Sequence, residues 1–208
     1  MTPERFKDVP SPINLRDMND ARAWLVDSVT RRPCRPLFFA TFAQALNEHF
    51  ATPFSIVELG SGPGRLAAVL LASCKVTSYV AIDFSDAMHV LAKEHLGDSA
   101  NRVQFATADF RSDWHKAYSH VDAVVTMQAA HEVRHKGRQP SFFTKVRNTL
   151  SPSGIFLFCD HYWEPGSDEH RDLYLEKTEQ PRVLAVAGFS LVTLLLDREG
   201  MALYACRP

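Results

Sequence analysis

The sequence predicts an α/β protein: a seven-stranded, mostly parallel sheet with helices on both faces, closed by an antiparallel C-terminal hairpin. Three observations carry this prediction. Strand-like and helix-like periodicities alternate from residue 54 onward. A glycine-rich turn, Gly60-Ser61-Gly62-Pro63-Gly64, joins the first apolar run to the first amphipathic one. Two β-rich runs near the C-terminus are separated only by Arg198-Glu199-Gly200, a hairpin by length.

The elements follow in order. The first fifty residues read as two extra helices. Asp17 or Asn19 is placed to cap one carrying Ala21, Trp24, Leu25 and Val29 on one face. Pro36 suits the first turn of the other, whose apolar side is Phe38, Phe39, Phe42, Leu46 and Phe50. Phe54–Leu59 reads as a buried parallel strand, and Arg65–Cys74 as the helix after the glycine turn. A strand at Tyr79–Phe84 precedes a helix from the N-cap Ser85 to about His95. Strands Arg102–Ala106 and Val121–Met127 come next, then a helix over Gln139–Thr149. Strand Ile155–Asp160 starts after the Ser151-Pro152-Ser153-Gly154 turn. Thr178 is expected to cap a last helix that ends at Gly188, before Leu191–Asp197 and Met201–Cys206 form the hairpin. The whole chain, 1–208, reads as one domain: a helical cap segment over 1–50 and a sheet core over 54–208.

Composition narrows the function classes. With 208 residues, 46% hydrophobic and 23% charged, the chain has the balance of a globular protein that buries about 70% of its unfolded surface. A net charge of −1 gives no electrostatic reason to expect nucleic acid or an anionic membrane as partner. The four cysteines lie far apart without a Cys-x-x-Cys pair, which suits buried, reduced thiols and a cytoplasmic location. The N-terminus lacks the apolar core of a secretory signal, and the longest nearly apolar run, Leu184–Leu196, is too short to span a bilayer. Oligomeric state leaves no signal.

In an open parallel sheet, ligands bind at the carboxyl ends of the strands, so the residues delivered there describe the site. The first strand delivers Glu58 and the glycine turn, whose missing Cβ atoms let a ligand approach the backbone. The helix behind it aims unpaired N–H groups at that ligand. The second strand ends in Asp83, an acid suited to a ribose diol, followed by Phe84. The third ends in Asp109-Phe110, an acid and a ring suited to adenine. The fourth ends near Gln128, and the fifth in Asp160-His161-Tyr162-Trp163. Acids at the ends of buried strands are costly unless they bind something.

The set Glu58-Leu59-Gly60-Ser61-Gly62-Pro63-Gly64, Ile82-Asp83-Phe84-Ser85 with Met88, and Ala108-Asp109-Phe110 resembles motifs one to three of class I S-adenosylmethionine-dependent methyltransferases. The turn before the fifth strand, and the closing hairpin preceded by Ala187-Gly188-Phe189, extend the likeness over roughly 54–208. The resemblance implies a Rossmann-like fold, S-adenosyl-L-methionine as cofactor, and a role for each matching residue. Gly60, Ser61, Gly62 and Gly64 would hold the methionine end, and Glu58 its amino group. Asp83 would bind the ribose, with Phe84 and Met88 packed on adenine. Asp109 would take the adenine amine with Phe110 nearby, and Gln128 would lie beside the sulfonium.

Three other readings compete. A dinucleotide-binding oxidoreductase using NAD(P) needs its third small residue at position 65, where Arg65 stands. His131-Glu132-Val133-Arg134-His135 satisfies a zinc-protease pattern, but it follows a strand closely and is flanked by charge and Gly137. A non-catalytic, methyltransferase-like binding protein is opposed by the intact Glu58, Asp83 and Asp109. Asp160, His131 and His161 offer oxygen and imidazole ligands to a metal, yet the paired carboxylates of such a site are incomplete, and no metal is expected.

Methyl transfer needs alignment and exclusion of water, and a base where the acceptor is a hydroxyl or protonated amine. His131 is the candidate base. His161, Tyr162 and Trp163 are the candidate substrate contacts. Position 128–130 reads Gln-Ala-Ala instead of the Asn/Asp-Pro-Pro-aromatic motif of amino-methylating nucleic-acid enzymes, and no Pro-Cys dipeptide occurs. A small-molecule acceptor, methylated at nitrogen or oxygen, is therefore expected. The N-terminal helices and the aromatic-rich stretch from Tyr162 to Tyr174 are expected to cover the site.

Overall fold

The computed structural model describes residues 6–166 and 168–208, apart from the side chain of Val29, so the place of Val29 on its helix face lies outside the described residues. Helices α1 (Met18–Arg31) and α2 (Arg35–His49) precede β1 (Phe54–Leu59), α3 (Arg65–Ser73), β2 (Val76–Asp83), α4 (Asp86–Leu96) and β3 (Val103–Thr107). Then come β4 (Val121–Met127), α5 (Gln139–Thr149), β5 (Leu150–His161), α6 (Glu179–Val186), β6 (Leu191–Arg198) and β7 (Met201–Arg207). The sheet order is β3-β2-β1-β4-β5-β7-β6. The first five strands are parallel, and β7 inserts antiparallel between β5 and β6. The order reverses at β1, where one chain direction leads to β2 and the other to β4. That switch point is where such sheets bind ligands.

Alternation along the strands builds two cores. Phe54 and Ile56 on β1, Tyr79 and Ala81 on β2, and Ile155, Leu157 and Cys159 on β5 face one side. There they meet Phe38, Phe42 and Leu46 of α2 and Leu66 and Leu70 of α3. The opposite residues, Val57, Leu59, Phe156 and Phe158, meet Phe142, Phe143 and Val146 of α5 and Leu184 of α6. A stack of rings runs through this second core, with Phe143 edge-on to Phe158 and Phe156 stacked on Phe189. Each buried Phe or Leu contributes about 1.5–3 kcal/mol, so the helices are held by faces that the sequence pattern already marks.

Side-chain caps mark the starts of α1 and α4. Asp17 accepts from the N–H groups of Asn19 and Asp20 at 2.9 and 3.1 Å, and Ser85 Oγ accepts from Met88 N. Thr178 differs from expectation. It stands at the start of α6 but makes no side-chain cap, and instead Glu179 reaches back to accept from the N–H of Glu176. The hairpin is also tighter than its spacing suggests. Arg198 stays in β6, and the turn is Glu199-Gly200, both left-handed at φ 51° and 74°, a two-residue connection whose twist matches the strands. Strand β2 begins three residues earlier than Tyr79, and β5 begins at Leu150, ahead of the Ser-Pro-Ser-Gly turn.

Cys34, Cys159 and Cys206 are buried free thiols, and Cys74 is partly buried. Among the described residues, no helix is long and apolar enough to cross a membrane.

Candidate active site

A cavity of about 500 Å³ opens at the carboxyl ends of β1, β2 and β4. Its floor is the glycine turn. Gly60 has φ +71°, and a Cβ there would lie 2.1 Å from the Cβ of Ala129, so the turn and the loop after β4 touch only because the side chain is absent. Gly62 is also left-handed, yet nothing lies within 4 Å of its virtual Cβ, and it lines the cavity. Gly64 differs from both: it packs against Ala92 and Leu96 of α4, behind the wall.

Two acids stand beside this floor, on the same side of the cavity. Asp83 accepts from Gly62 N at 2.9 Å and from Ser85 N at 3.0 Å. Burial pushes its pKa up to about 6, in spite of those backbone donors. Glu58 accepts from the hydroxyl of Tyr79 at 2.7 Å. Burial pushes it up to about 8, the Tyr79 hydroxyl opposes the rise, and the charge of Asp83 adds to it. Neither acid has a cationic partner within ion-pair distance among the described residues. Ser61 Oγ, also on the cavity wall, is buried without a hydrogen-bond partner.

The opposite wall is built differently. After β4, the chain makes a short 3-10 turn over Ala130–Val133 and then a left-handed Arg134 at φ 62°. This brings His131 onto the cavity and over the end of β5. His131 Nδ1 lies 2.8 Å from Oδ1 of the buried Asp160, which also accepts from the backbone N–H of His131 and of His161. Burial works against a charged imidazole here. Asp160 outweighs it and holds His131 above its ordinary 6.5, while His131 in turn keeps Asp160 below the usual carboxylate range. The ring edge of Tyr174 packs on His131 at 5.2 Å.

Most of the residues expected at the cofactor meet in this cavity: Glu58, Gly60, Ser61, Gly62, Asp83, Phe84, Met88, Phe110, Gln128 and the candidate base His131 all line it. Others stand behind it. Asp109 is gripped by its neighbour Arg111, whose Nη2 lies 2.7 Å from Oδ2 and whose Nε meets both oxygens. Burial alone would raise that carboxyl, but the Arg111 hydrogen bonds keep it low. His161, expected at the substrate, sits one layer back, with Nε2 2.8 Å from the carboxamide nitrogen of Gln128. Burial drives it down to about 4, so it is neutral and accepts that bond. Tyr162 donates to Asp197 at 3.0 Å. Trp163 bridges Glu176 in the loop beyond β5. None of these three lines the cavity.

The apparent zinc-protease pattern is broken by geometry. His131 is in the 3-10 turn, Arg134 is left-handed, and His135 is extended, stacked on Phe6 at 4.6 Å and accepting from Gly137 N. Two imidazoles must share a helical face for that chemistry, and these do not. Around Asp160, its carboxylate already accepts from His131 Nδ1 and from the backbone N–H groups of His131 and His161, and His161 Nε2 is taken up by Gln128.

Several cavity residues carry no motif. The segment 10–15 supplies Pro10, Ser11, Pro12, Ile13 and Leu15 to the roof. Arginines clamp it: Asp8 meets Arg111 and Arg138, the Val9 carbonyl accepts from the Arg134 guanidinium, and Arg16 donates to the Phe84 carbonyl. Arg35, Phe39, Arg65, His170 and Tyr174 complete the walls. Asp160 itself has a readable signal, an acid at the end of a buried strand, the same cue that marks Glu58 and Asp83.

Comparison with known proteins agrees with this arrangement. A family model described as "Methyltransferase domain" matches residues 56–154. No curated protein sequence matches the chain. Among solved structures, DhpI in its complex with SAH is similar at 21% identity, with a TM-score of 0.69, over 92% of this chain and 94% of that one. An O-methyltransferase family protein from Burkholderia thailandensis is similar at 15% identity and a TM-score of 0.71, over 91% of this chain but 60% of its own. The CurJ carbon methyltransferase is similar at 18% identity and a TM-score of 0.63, over 76% of this chain, and the chain spans about half (49%) of its length. Residues 56–154 therefore match the methyltransferase domain family, and the chain as a whole has the Rossmann-like fold of these solved methyltransferases.

Proposed function

We propose that this cavity binds S-adenosyl-L-methionine and that the protein methylates a small-molecule acceptor at oxygen or nitrogen. The observation that carries the reading is the open space over Gly62 beside Asp83, an acid buried without a cation. The donor set fits the cofactor. Asp83 keeps lone pairs for a ribose diol, Ser61 Oγ lacks a partner, and Glu58 lies where an ammonium would lower its raised pKa. Met88, Phe84 and Phe110 offer apolar surface to a ring, and Phe110, with Asp109 committed to Arg111, is the contact that its turn makes with the cavity. A complex of a similar fold with SAH supports the same assignment.

The cofactor supplies an activated methyl group, and the chain's own residues supply alignment and a base. Asp160 fixes the His131 ring by taking Nδ1–H, which leaves Nε2 as the atom that receives a proton. The positioned carboxylate raises the basicity of that atom. The roof segment and Tyr174 exclude water. A small acceptor suits a concave, roofed site better than a polymer does, and the net charge of −1 gives no pull toward nucleic acid.

Calorimetry with S-adenosylmethionine tests the first half: saturable binding at tens of micromolar or tighter is expected, and no heat in that range overturns the reading. Incubation of a metabolite extract with enzyme and isotopically labelled cofactor tests the second. The label is expected in a small molecule, and its appearance only in protein or nucleic acid overturns the acceptor class.

A further inference from the structure

Two guanidinium groups face the cavity without an acid of their own. Arg35, at the start of α2, donates Nε–H to Gln128 Oε1 at 2.6 Å and Nη1–H to the Ser28 carbonyl at 3.3 Å, both neutral acceptors. Arg65, the first residue of α3, has its Nε buried with no hydrogen-bond partner. The other cavity arginines are accounted for: Arg31 pairs with Asp27 at 2.8 Å and Arg134 with Glu132 at 3.2 Å. Among the described residues, no carboxylate lies within ion-pair distance of Arg35 or Arg65. Burial, then the charges of Arg32 and Arg65, bring the Arg35 guanidinium down to about 10, a large concession for a group that almost never gives up its proton.

Like charges drawn together away from water are costly unless an anion joins them. A guanidinium fork matches the two oxygens of a carboxylate in geometry as well as charge. Arg35 is held ready for such a partner. Gln128, itself tethered to His161, fixes it on one side, and its face lies over Trp24 at 5.7 Å. Trp24, Phe39, Leu66 and Met127 line the same cavity and give it apolar walls. Two carboxylates are candidates, that of the cofactor's methionine tail and that of the acceptor. The aromatic walls favour the second, because a methionine tail offers only two methylenes beside a charged sulfonium, too little to fill them.

We propose that Arg35 and Arg65 form a carboxylate clamp for the methyl acceptor, which is therefore an organic acid with an aromatic or apolar body. This rests on the cofactor reading above. It adds charge balance: an anionic acceptor offsets the guanidinium pair and the positive sulfonium together.

The test uses the full chain with and without SAH, probed by benzoate, phenylacetate and indole-3-acetate against their primary amides, at low salt so that charge contacts are not screened. The acids, and not the amides, are expected to raise the melting temperature of the SAH complex. Arg65→Gln and Arg35→Gln are each expected to weaken acid binding about tenfold or more while leaving SAH affinity within about threefold. Arg65→Lys, which keeps the charge but not the fork, is expected to fall between. Acids and amides acting alike, or no acid binding, overturns the clamp. Variants that lose SAH about tenfold with acid binding unchanged overturn the acceptor assignment and give the clamp to the cofactor's own carboxylate. If SAH itself fails to bind the wild-type chain, the cofactor reading falls, and the acid titration of the ligand-free protein still decides whether the arginines hold a carboxylate.

Discussion

The two walls of the cavity treat buried acids in opposite ways. At the ends of β1 and β2, Glu58 and Asp83 have hydroxyl and amide donors but no cation, and both are pushed toward protonation. At the end of β5, Asp160 is equally buried, yet it is satisfied by His131 and two backbone donors and stays ionised. We read the two walls as serving different purposes. A buried acid that is fully paired inside the protein is scaffold for another side chain, here the imidazole. A buried acid left short of partners keeps its hydrogen-bonding capacity for a ligand.

The sharpest way to break this contrast is His131→Ala. It is expected to lower turnover by about 10²–10⁴-fold with cofactor affinity unchanged. Equal loss of both in a calorimetric and kinetic comparison would place His131 on the binding side. Asp160→Asn addresses the same wall through pH. The rate is expected to rise with pH through the His131 titration, which lies above 6.5 in the wild type, and this limb should move to lower pH in the variant. A pH–rate profile that does not move removes Asp160 from the positioning role.

Asp83→Ala probes the other wall, with an expected loss of about ten- to hundredfold in S-adenosylmethionine affinity, measured by calorimetry. The smallest effect is on stability. Because the folded pKa of Glu58 is raised from 4.5 to about 8, its neutral form favours the native state, and that contribution is present at low pH and lost as pH rises from about 4.5 toward 8. Glu58→Gln is expected to flatten this decline in melting temperature for the ligand-free protein. An unchanged slope would mean that another group carries it.

The glycine turn, Glu58 and Asp83 are legible in the sequence because each is a local signal, a special residue at the end of a buried run. The strand and helix boundaries of β1, β4 and α5 are legible for the same reason. What stays hidden depends on side-chain pairing, near or distant in the chain. Asp109 carries the right residue type in the right place, but Arg111 two positions on competes for its carboxylate. His161 follows the right strand, yet it turns toward Gln128, 33 residues away in the chain. The roof over 10–15 has no periodicity to read. It is defined by contacts such as Val9 with Arg134, separated by 125 residues. Spacing along the chain does not report such partners; only the folded sheet brings them together.

The cavity is drawn from two sources: the span 56–154, which matches the family, gives the floor and the His131 turn, while Pro10–Phe39 and His170–Tyr174 lie outside that span and give most of the rest. Division of labour follows from this partition. The matched span gives the glycine turn and its acids, while the flanking α2 walls the cavity and at the same time supplies Phe38, Phe42 and Leu46 to the core of the sheet. A fragment beginning at Phe54 would forfeit Trp24, Arg35 and Phe39 from the cavity and would strip one face of the sheet of Phe38, Phe42 and Leu46.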